Sequence, residues 1–228
     1  MAPNELRPLT LHAYAVGANP FKVAILLELL QVPYTVTLWK FGDGPNGVKS
    51  EKFISEFNPN GRVPALFDPN TEVLSWESGA CINYLLRVYD KEGKYGPMQN
   101  AREQEKVDFE KWVFWVTTGL APMFGQMNWF GHQDGGRNVE ALTRYREQSY
   151  RCFGVLEQQL LRAKSGFVLD RGFSAVDVHT YPWMCEYGYA GLSLDAYPAI
   201  RAWLARMEEM PEIKRAYQTI KDGQFSEL

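Results

Sequence analysis

Beyond Arg102 the sequence stops offering strands, and this change of character constrains the fold more than any other feature. Before it, short runs rich in β-branched and aromatic residues alternate with helical spacings. "LTLHAYAV" (9–16) reads as a buried strand, and "GANPFKVAILLELL" as a helix. In that helix Asn19 is expected to cap and Pro20 to take the first helical position. Phe21, Val23, Ala24, Leu27 and Leu30 then recur at helical spacing. "VPYTVTLWKF" (32–41) is a second strand, and "EKFISEF" a short helix. "VPALFD" (63–68) and "EVLSW" (72–76) are strands joined by a "PN" turn, and "ESGACINYLLRVYD" (77–90) is a helix. The order is β-α-β-(α)-β-β-α, and the turn-rich "KEGKYGPMQN" (91–100) follows as a linker.

From Arg102 to about Pro211 only helical patterns appear. "REQEKVDFEKWVFWVTTGL" is helical and expected to break near Ala121-Pro122. A later helix puts Leu142, Tyr145, Ser149, Cys152, Phe153, Leu156 and Leu160 on one face. Ser174-x-x-Asp177 has the form of a capping box, with Asp in place of Glu. "AIRAWLARMEEM" is one more amphipathic helix, ended by Pro211. The fold class is therefore an α/β N-terminal domain, residues 1–92, followed by an all-α helical domain, residues 100–228.

Several function classes are disfavoured at once. A net charge of -3 with 22% charged residues offers no basic excess for nucleic acid. No apolar run approaches the roughly 20 residues that span a bilayer. "MAPNELRPLT" lacks the apolar core of a signal peptide. Cys81, Cys152 and Cys185 are far apart, with no CxxC and no disulfide framework, so a reducing, cytoplasmic setting is expected. His12, His132 and His179 are scattered, and no metal site is expected.

Two short stretches carry chemistry. In "FNPNGRVPAL" (57–66) a proline opens a strand, where its missing N–H normally excludes it unless a special turn leads in. Two readings stand side by side: a plain tight turn, or a cis Val63-Pro64 bond that leaves the Val63 backbone open to an added peptide strand. In "WESGA", Glu77 and Ser78 open a helix. A helix N-terminus offers orphan N–H groups and about half a positive charge, which suits a carboxylate. Glu77 would accept from an ammonium. The alternative is that both residues only cap the helix.

Taken together, "GANPFKVAILLELL" and "NPNGRVPALFDPNTEVLSWESGACINYLLRVYD" strongly resemble the glutathione-binding domain of cytosolic glutathione transferases. "ANPFKVAI", "NPNGRVPAL", "WESGA" and "GLAPMFGQ" resemble most the fungal group around the prion-forming nitrogen regulator, whose Asn-rich extension is absent here. The resemblance covers nearly the whole chain. It implies a thioredoxin-like domain and a helical domain, assembled as a homodimer, with glutathione bound to the first. It implies that Val63, before the cis Pro64, pairs with the cysteinyl backbone, and that Glu77 and Ser78 hold the γ-glutamyl end. Lys49 lies where the family often has a donor for the glycyl carboxylate; as a residue it equally fits a solvated loop lysine. Arg62 is expected to be structural or to reach a dimer partner.

The thiolate-stabilising group is the open question. Family members use Tyr, Ser or Cys near the end of the first strand, and "HAYAVGANP" has neither Ser nor Cys. Tyr14 fits only if the alignment shifts by one residue, which reverses the face of a strand, and otherwise it is a buried or pocket-lining tyrosine. Asn19 is the other candidate: the resembled fungal group has an Asn near the sulfur, and an amide N–H donates to a thiolate. For a bulky apolar acceptor, "KWVFWVTTGLAPMFGQMNWF" offers Trp112, Trp115, Met123 and Phe124, in a pocket that the family places between its domains. The expected activity is thiolate addition to an apolar electrophile, secondary metabolites included. A trans–cis isomerisation with glutathione as cofactor, or a peroxidase reaction, would use the same thiolate. The rival readings are a non-catalytic glutathione-binding regulator and a thiol–disulfide reductase, the latter without a cysteine near the first helix.

Overall fold

The computed structural model describes residues 6–225, so part of the leader reading of residues 1–10 and the outer ends of both expected domains lie outside the described residues. In chain order the elements are β1 (Leu9–Ala13), α1 (Ala18–Leu30), β2 (Tyr34–Leu38), α2 (Glu51–Glu56), β3 (Ala65–Asp68), β4 (Val73–Trp76) and α3 (Ser78–Tyr89). There follow α4 (Glu103–Trp115), α5 (Ala121–Asn128), α6 (Val139–Arg162), α7 (Ala175–Met184), α8 (Pro198–Glu208), α9 (Pro211–Lys221) and β5 (Gln224–Phe225). They form two compact units, one of Met1–Lys91 with Met210–Leu228, the other of Glu92–Glu209.

The first unit is built on a mixed sheet in the order β4-β3-β1-β2-β5. β1 runs parallel to β2 and antiparallel to β3, with His12 opposite both Thr37 and Ala65. Residues Val23 to Leu27 of α1 are all fully buried, the mark of a helix covered on every side. It packs against β1, α3 and α9. Gln31, in the left-handed region at φ 54°, ends it.

The all-helical assignment of residues 100–228 is corrected at its end, because α9 and β5 belong to the sheet-bearing unit. The buried stripe of α9 (Ile213, Ala216, Ile220) lies on α1, where Tyr217 meets Phe21 at 4.2 Å and Arg215 pairs with Glu28 at 3.0 Å. Gly223 then lets β5 come alongside β2: a Cβ there would stand 2.8 Å from a Val36 methyl.

The helical unit differs from expectation in its first helix. The chain does not break at Pro122 but passes through two π turns, Val116–Leu120 and Trp129–Gln133. Pro122 sits in the first turn of α5, directly after the first π turn, and the helical run carries on past its missing N–H. The turns at 91–100 are tied down, not loose: the Arg171 guanidinium donates to the carbonyls of Gly93 and Gly96 at 2.5 and 2.8 Å. The capping box forms as read, with the Asp177 carboxylate accepting from the Ser174 N–H at 3.0 Å. Asp177 also accepts from Val168 N–H at 2.9 Å and Trp203 Nε1–H at 3.0 Å. Among the described residues no helix is long and apolar enough to cross a membrane, and no group of three His, Cys, Asp or Glu is placed to hold a metal.

Candidate functional site

The loop before β3 is shaped by one buried side chain. Asn58, 2% exposed, donates through Nδ2 to the Arg62 carbonyl at 2.7 Å and accepts through Oδ1 from the Asn60 N–H at 2.9 Å. The Gly61 N–H closes the turn on the Asn58 carbonyl at 2.8 Å. Gly61 is required: φ is +60°, and a Cβ would fall 2.8 Å from the Val48 carbonyl and 2.9 Å from the Lys49 side chain. This clasp delivers Val63 and the cis Val63-Pro64 bond to the start of the sheet. Val63 precedes β3, and among the described residues its backbone has no main-chain partner.

Val63 belongs to a buried apolar cluster with Trp39, Val48 and Phe53, against which Tyr14 and Phe57 pack. His12 is enclosed in it, its ring 4.1 Å from Phe57, and its Nδ1 accepts from Trp39 Nε1–H at 3.0 Å. Burial pulls His12 down to about 4.

Opposite the loop stands the N-terminus of α3. Glu77 occupies the cap position at φ +68°, a region costly for a residue with a Cβ, and its side chain makes no cap hydrogen bond. The carboxylate is thus left for something other than the helix. Ser78 is 8% exposed, and its hydroxyl donates to Asn19 Oδ1 across a long 3.5 Å. Asn19 is not the cap of α1: Gly17 holds that position, and Asn19 is the second helical residue, joined to α3 instead.

These pieces enclose a cavity of about 340 Å³, lined by Asn19, Asn58, Asn60, Arg62, Val63, Pro64, Glu77 and Ser78. The volume falls in the range of small-molecule sites. The fold thus brings together Asn19, Val63, Pro64, Glu77 and Ser78 from three separate stretches. Lys49 is not in the lining; it is exposed and donates to the Asn60 carbonyl at 3.0 Å, lying across Gly61. Tyr14 is also outside the lining. It is half-buried beside Phe41, at 6.0 Å, and burial pushes its phenol up to about 12 against the opposing pull of the Arg62 charge. Arg62, expected to be structural or to reach a dimer partner, lines the cavity, and Asn58 and Asn60 were missed. The signal was present in "NPNG", since two Asn around a proline and before a glycine signal a side-chain-locked turn.

The acceptor residues separate. Phe124 is fully buried against Phe153, at 5.5 Å, where α5 meets α6, so it is core and not lining. Trp112 is buried to 8% exposure, edge-on to Trp115 at 5.1 Å; Trp115 and Met123 are half-buried. The most exposed aromatics of this stretch are Phe114 and Trp129, at 63% and 50%. The cysteines lie outside the cavity: Cys81, one turn into α3, is buried and pushed up to about 12, mainly by desolvation. Cys152 is buried and raised for the same reason, and Cys185 is exposed.

Known proteins resemble this chain. Residues 18–88 match the family description "Glutathione S-transferase, N-terminal domain", and residues 125–219 match "Glutathione S-transferase, C-terminal domain". The glutathione S-transferase-like protein OpS6 of Beauveria bassiana (strain ARSEF 2860) is 34% identical over 94% of this chain and 97% of its own. Protein URE2 of Candida maltosa is 35% identical over 91% of this chain and 72% of its own. A structure of Ure2p in complex with S-hexylglutathione superimposes with a TM-score of 0.84 at 27% identity, covering 94% of this chain and all of that one. On these grounds the chain belongs to the glutathione S-transferase family, alongside fungal members of the Ure2 kind.

Proposed function

We propose that the protein is a glutathione-dependent transferase acting on a bulky apolar electrophile. The observation that carries this reading is the polar cavity, whose groups complement glutathione from end to end. The γ-glutamyl carboxylate goes to the Ser78 hydroxyl and the N–H groups opening α3, and the ammonium goes to Glu77. The cysteinyl backbone pairs with the Val63 N–H and C=O as an added strand. Arg62, from the lining, takes the glycyl carboxylate, with Lys49 supplying positive charge from outside the cavity. The thiol then lies beside Asn19. With Asn19 Oδ1 accepting from Ser78, the group it offers a thiolate is the Nδ2–H donor.

An amide is a weaker aid than an acidic hydroxyl, so moderate rates toward generic electrophiles are expected. The bound thiolate attacks an electrophilic carbon of the acceptor and forms a thioether. With a conjugated alkene the same addition, followed by bond rotation and loss of the thiolate, isomerises the double bond and regenerates glutathione. The helical unit supplies apolar surface for the acceptor, with Trp115 and Met123 as the half-buried candidates. A cytoplasmic homodimer is part of the same reading.

One observation favours a second reading, a regulator that binds glutathione without turning it over. The lining holds no Tyr or Cys, and Tyr14 stands outside it with its proton held to about 12. Calorimetric titration with reduced glutathione tests both. Ser78→Ala is expected to weaken binding by about 1–3 kcal/mol, the cost of an unpaired buried polar partner. Unchanged affinity in the variant sinks the γ-glutamyl assignment. Binding without turnover of any electrophile or alkene selects the regulator.

A further inference from the structure

Lys22 is 1% exposed, an unusual fate for a lysine. It sits on α1 three residues past Asn19, so it shares the helix face that Asn19 turns toward α3. That face meets the N-terminus of α3, whose orphan N–H groups are themselves positive. A buried ammonium beside a positive helix end is doubly unfavourable unless negative charge is near. Glu77 supplies some: its carboxylate opposes the burial that draws Lys22 down to about 7.

Other ionisable groups around α1 have surroundings of their own. On α3, Cys81 is buried and held as the thiol. On α9, Arg215 is bound to Glu28 and Glu212, Tyr217 lies on Phe21, and Lys214 and Lys221 add only positive charge. On β1, His12 is enclosed by Trp39, Phe53 and Phe57.

We propose that Lys22 is a positioning residue of the glutamyl subsite: with the α3 N-terminus it makes the ground beneath Glu77 and Ser78 cationic, and so selects a ligand end that carries a carboxylate. This rests on the glutathione reading and adds to it a buried counter-charge that never touches the ligand. Lys22 orients the Glu77 carboxylate from below, leaving its outer side for the ammonium. A carboxylate arriving above Ser78 favours the charged form of Lys22, so binding and protonation are linked.

The test uses S-hexylglutathione, which has no titrating thiol, in calorimetry with two buffers of different ionisation enthalpy. If the ligand raises Lys22 from about 7 to about 8, the wild-type protein takes up about 0.4 proton at pH 8 and loses about fivefold in affinity from pH 6 to pH 8. Lys22→Met is expected to take up about 0.4 proton less than the wild type at pH 8, keeping only the uptake of the probe's own amino group, to bind about tenfold more weakly at pH 6, and to show a pH profile about fivefold shallower between pH 6 and pH 8. Lys22→Arg, always charged, keeps tight binding without the proton. If Lys22→Met matches the wild type in affinity and proton uptake, the proposal is overturned, whatever happens to its melting temperature. If the wild-type protein itself does not bind the probe, the glutathione reading falls instead.

Discussion

Acidification should loosen the ground under the cavity, and His12 gives the magnitude. In the folded chain His12 is 4% exposed, and its Nδ1 is the acceptor for Trp39 Nε1–H. Protonation puts a hydrogen on that acceptor, turns the bond into two opposed donors, and leaves a cation among aromatic rings. Its folded pKa of about 4 lies below the 6.5 of an ordinary histidine. The unfolded chain therefore binds this proton first, and the stabilisation by neutral His12, complete above pH 7, is lost as pH falls from about 6.5 toward 4. Linkage gives a loss of about 2 kcal/mol at pH 5 and about 3 kcal/mol well below pH 4. Urea unfolding of the wild-type protein and His12→Gln, at pH 7.5 and pH 5, reads the difference. The wild type should lose about 2 kcal/mol more than the variant over that interval. Equal losses in the two proteins would refute the assignment, since the titration would then belong to another group.

Asn19→Ala is expected to raise the pKa of bound glutathione's thiol, followed by thiolate absorbance, more than it weakens binding of S-hexylglutathione. If the thiol is unmoved and both ligands weaken together, Asn19 acts only through Ser78. Asp177→Ala leaves the buried donors of Val168, Ser174 and Trp203 without their acceptor, and at about 1–3 kcal/mol each it should cost at least 3 kcal/mol in denaturant unfolding. A smaller loss would show that the pocket around Asp177 relaxes or admits water.

Most elements of the first unit were legible because each announces itself locally: alternation in "LTLHA", apolar residues at helical spacing in "FKVAILLELL", a turn in "DPN". Glu77 and Ser78 were legible because they open a helix directly after a strand. The attachment of α9 and β5 was not, because an amphipathic helix records that it has an apolar face but not which partner covers it. Phe124 was misplaced for a different reason. The π turn at Val116–Leu120 takes one more residue than an α turn, so every face downstream is rotated relative to α4. Phe124 was offered as one of a set of large apolar residues, and such a set does not say which member lands in the core. Arg62 was expected to be structural or to reach a dimer partner, because nothing in the sequence shows that Asn58 holds its carbonyl beside the cavity.

The return of α9 and β5 to the first sheet makes that sheet-bearing unit discontinuous in sequence, with residues 92–209 as an insertion within it. During synthesis, α1 therefore emerges with one flank uncovered, and β2 with an open edge. Both wait until the whole helical unit has been made. An unsatisfied strand edge and an apolar helix flank are the surfaces by which nascent chains stick to one another. The interval between β2 and β5 is thus the stretch of biosynthesis in which this protein depends most on being kept apart from its own copies.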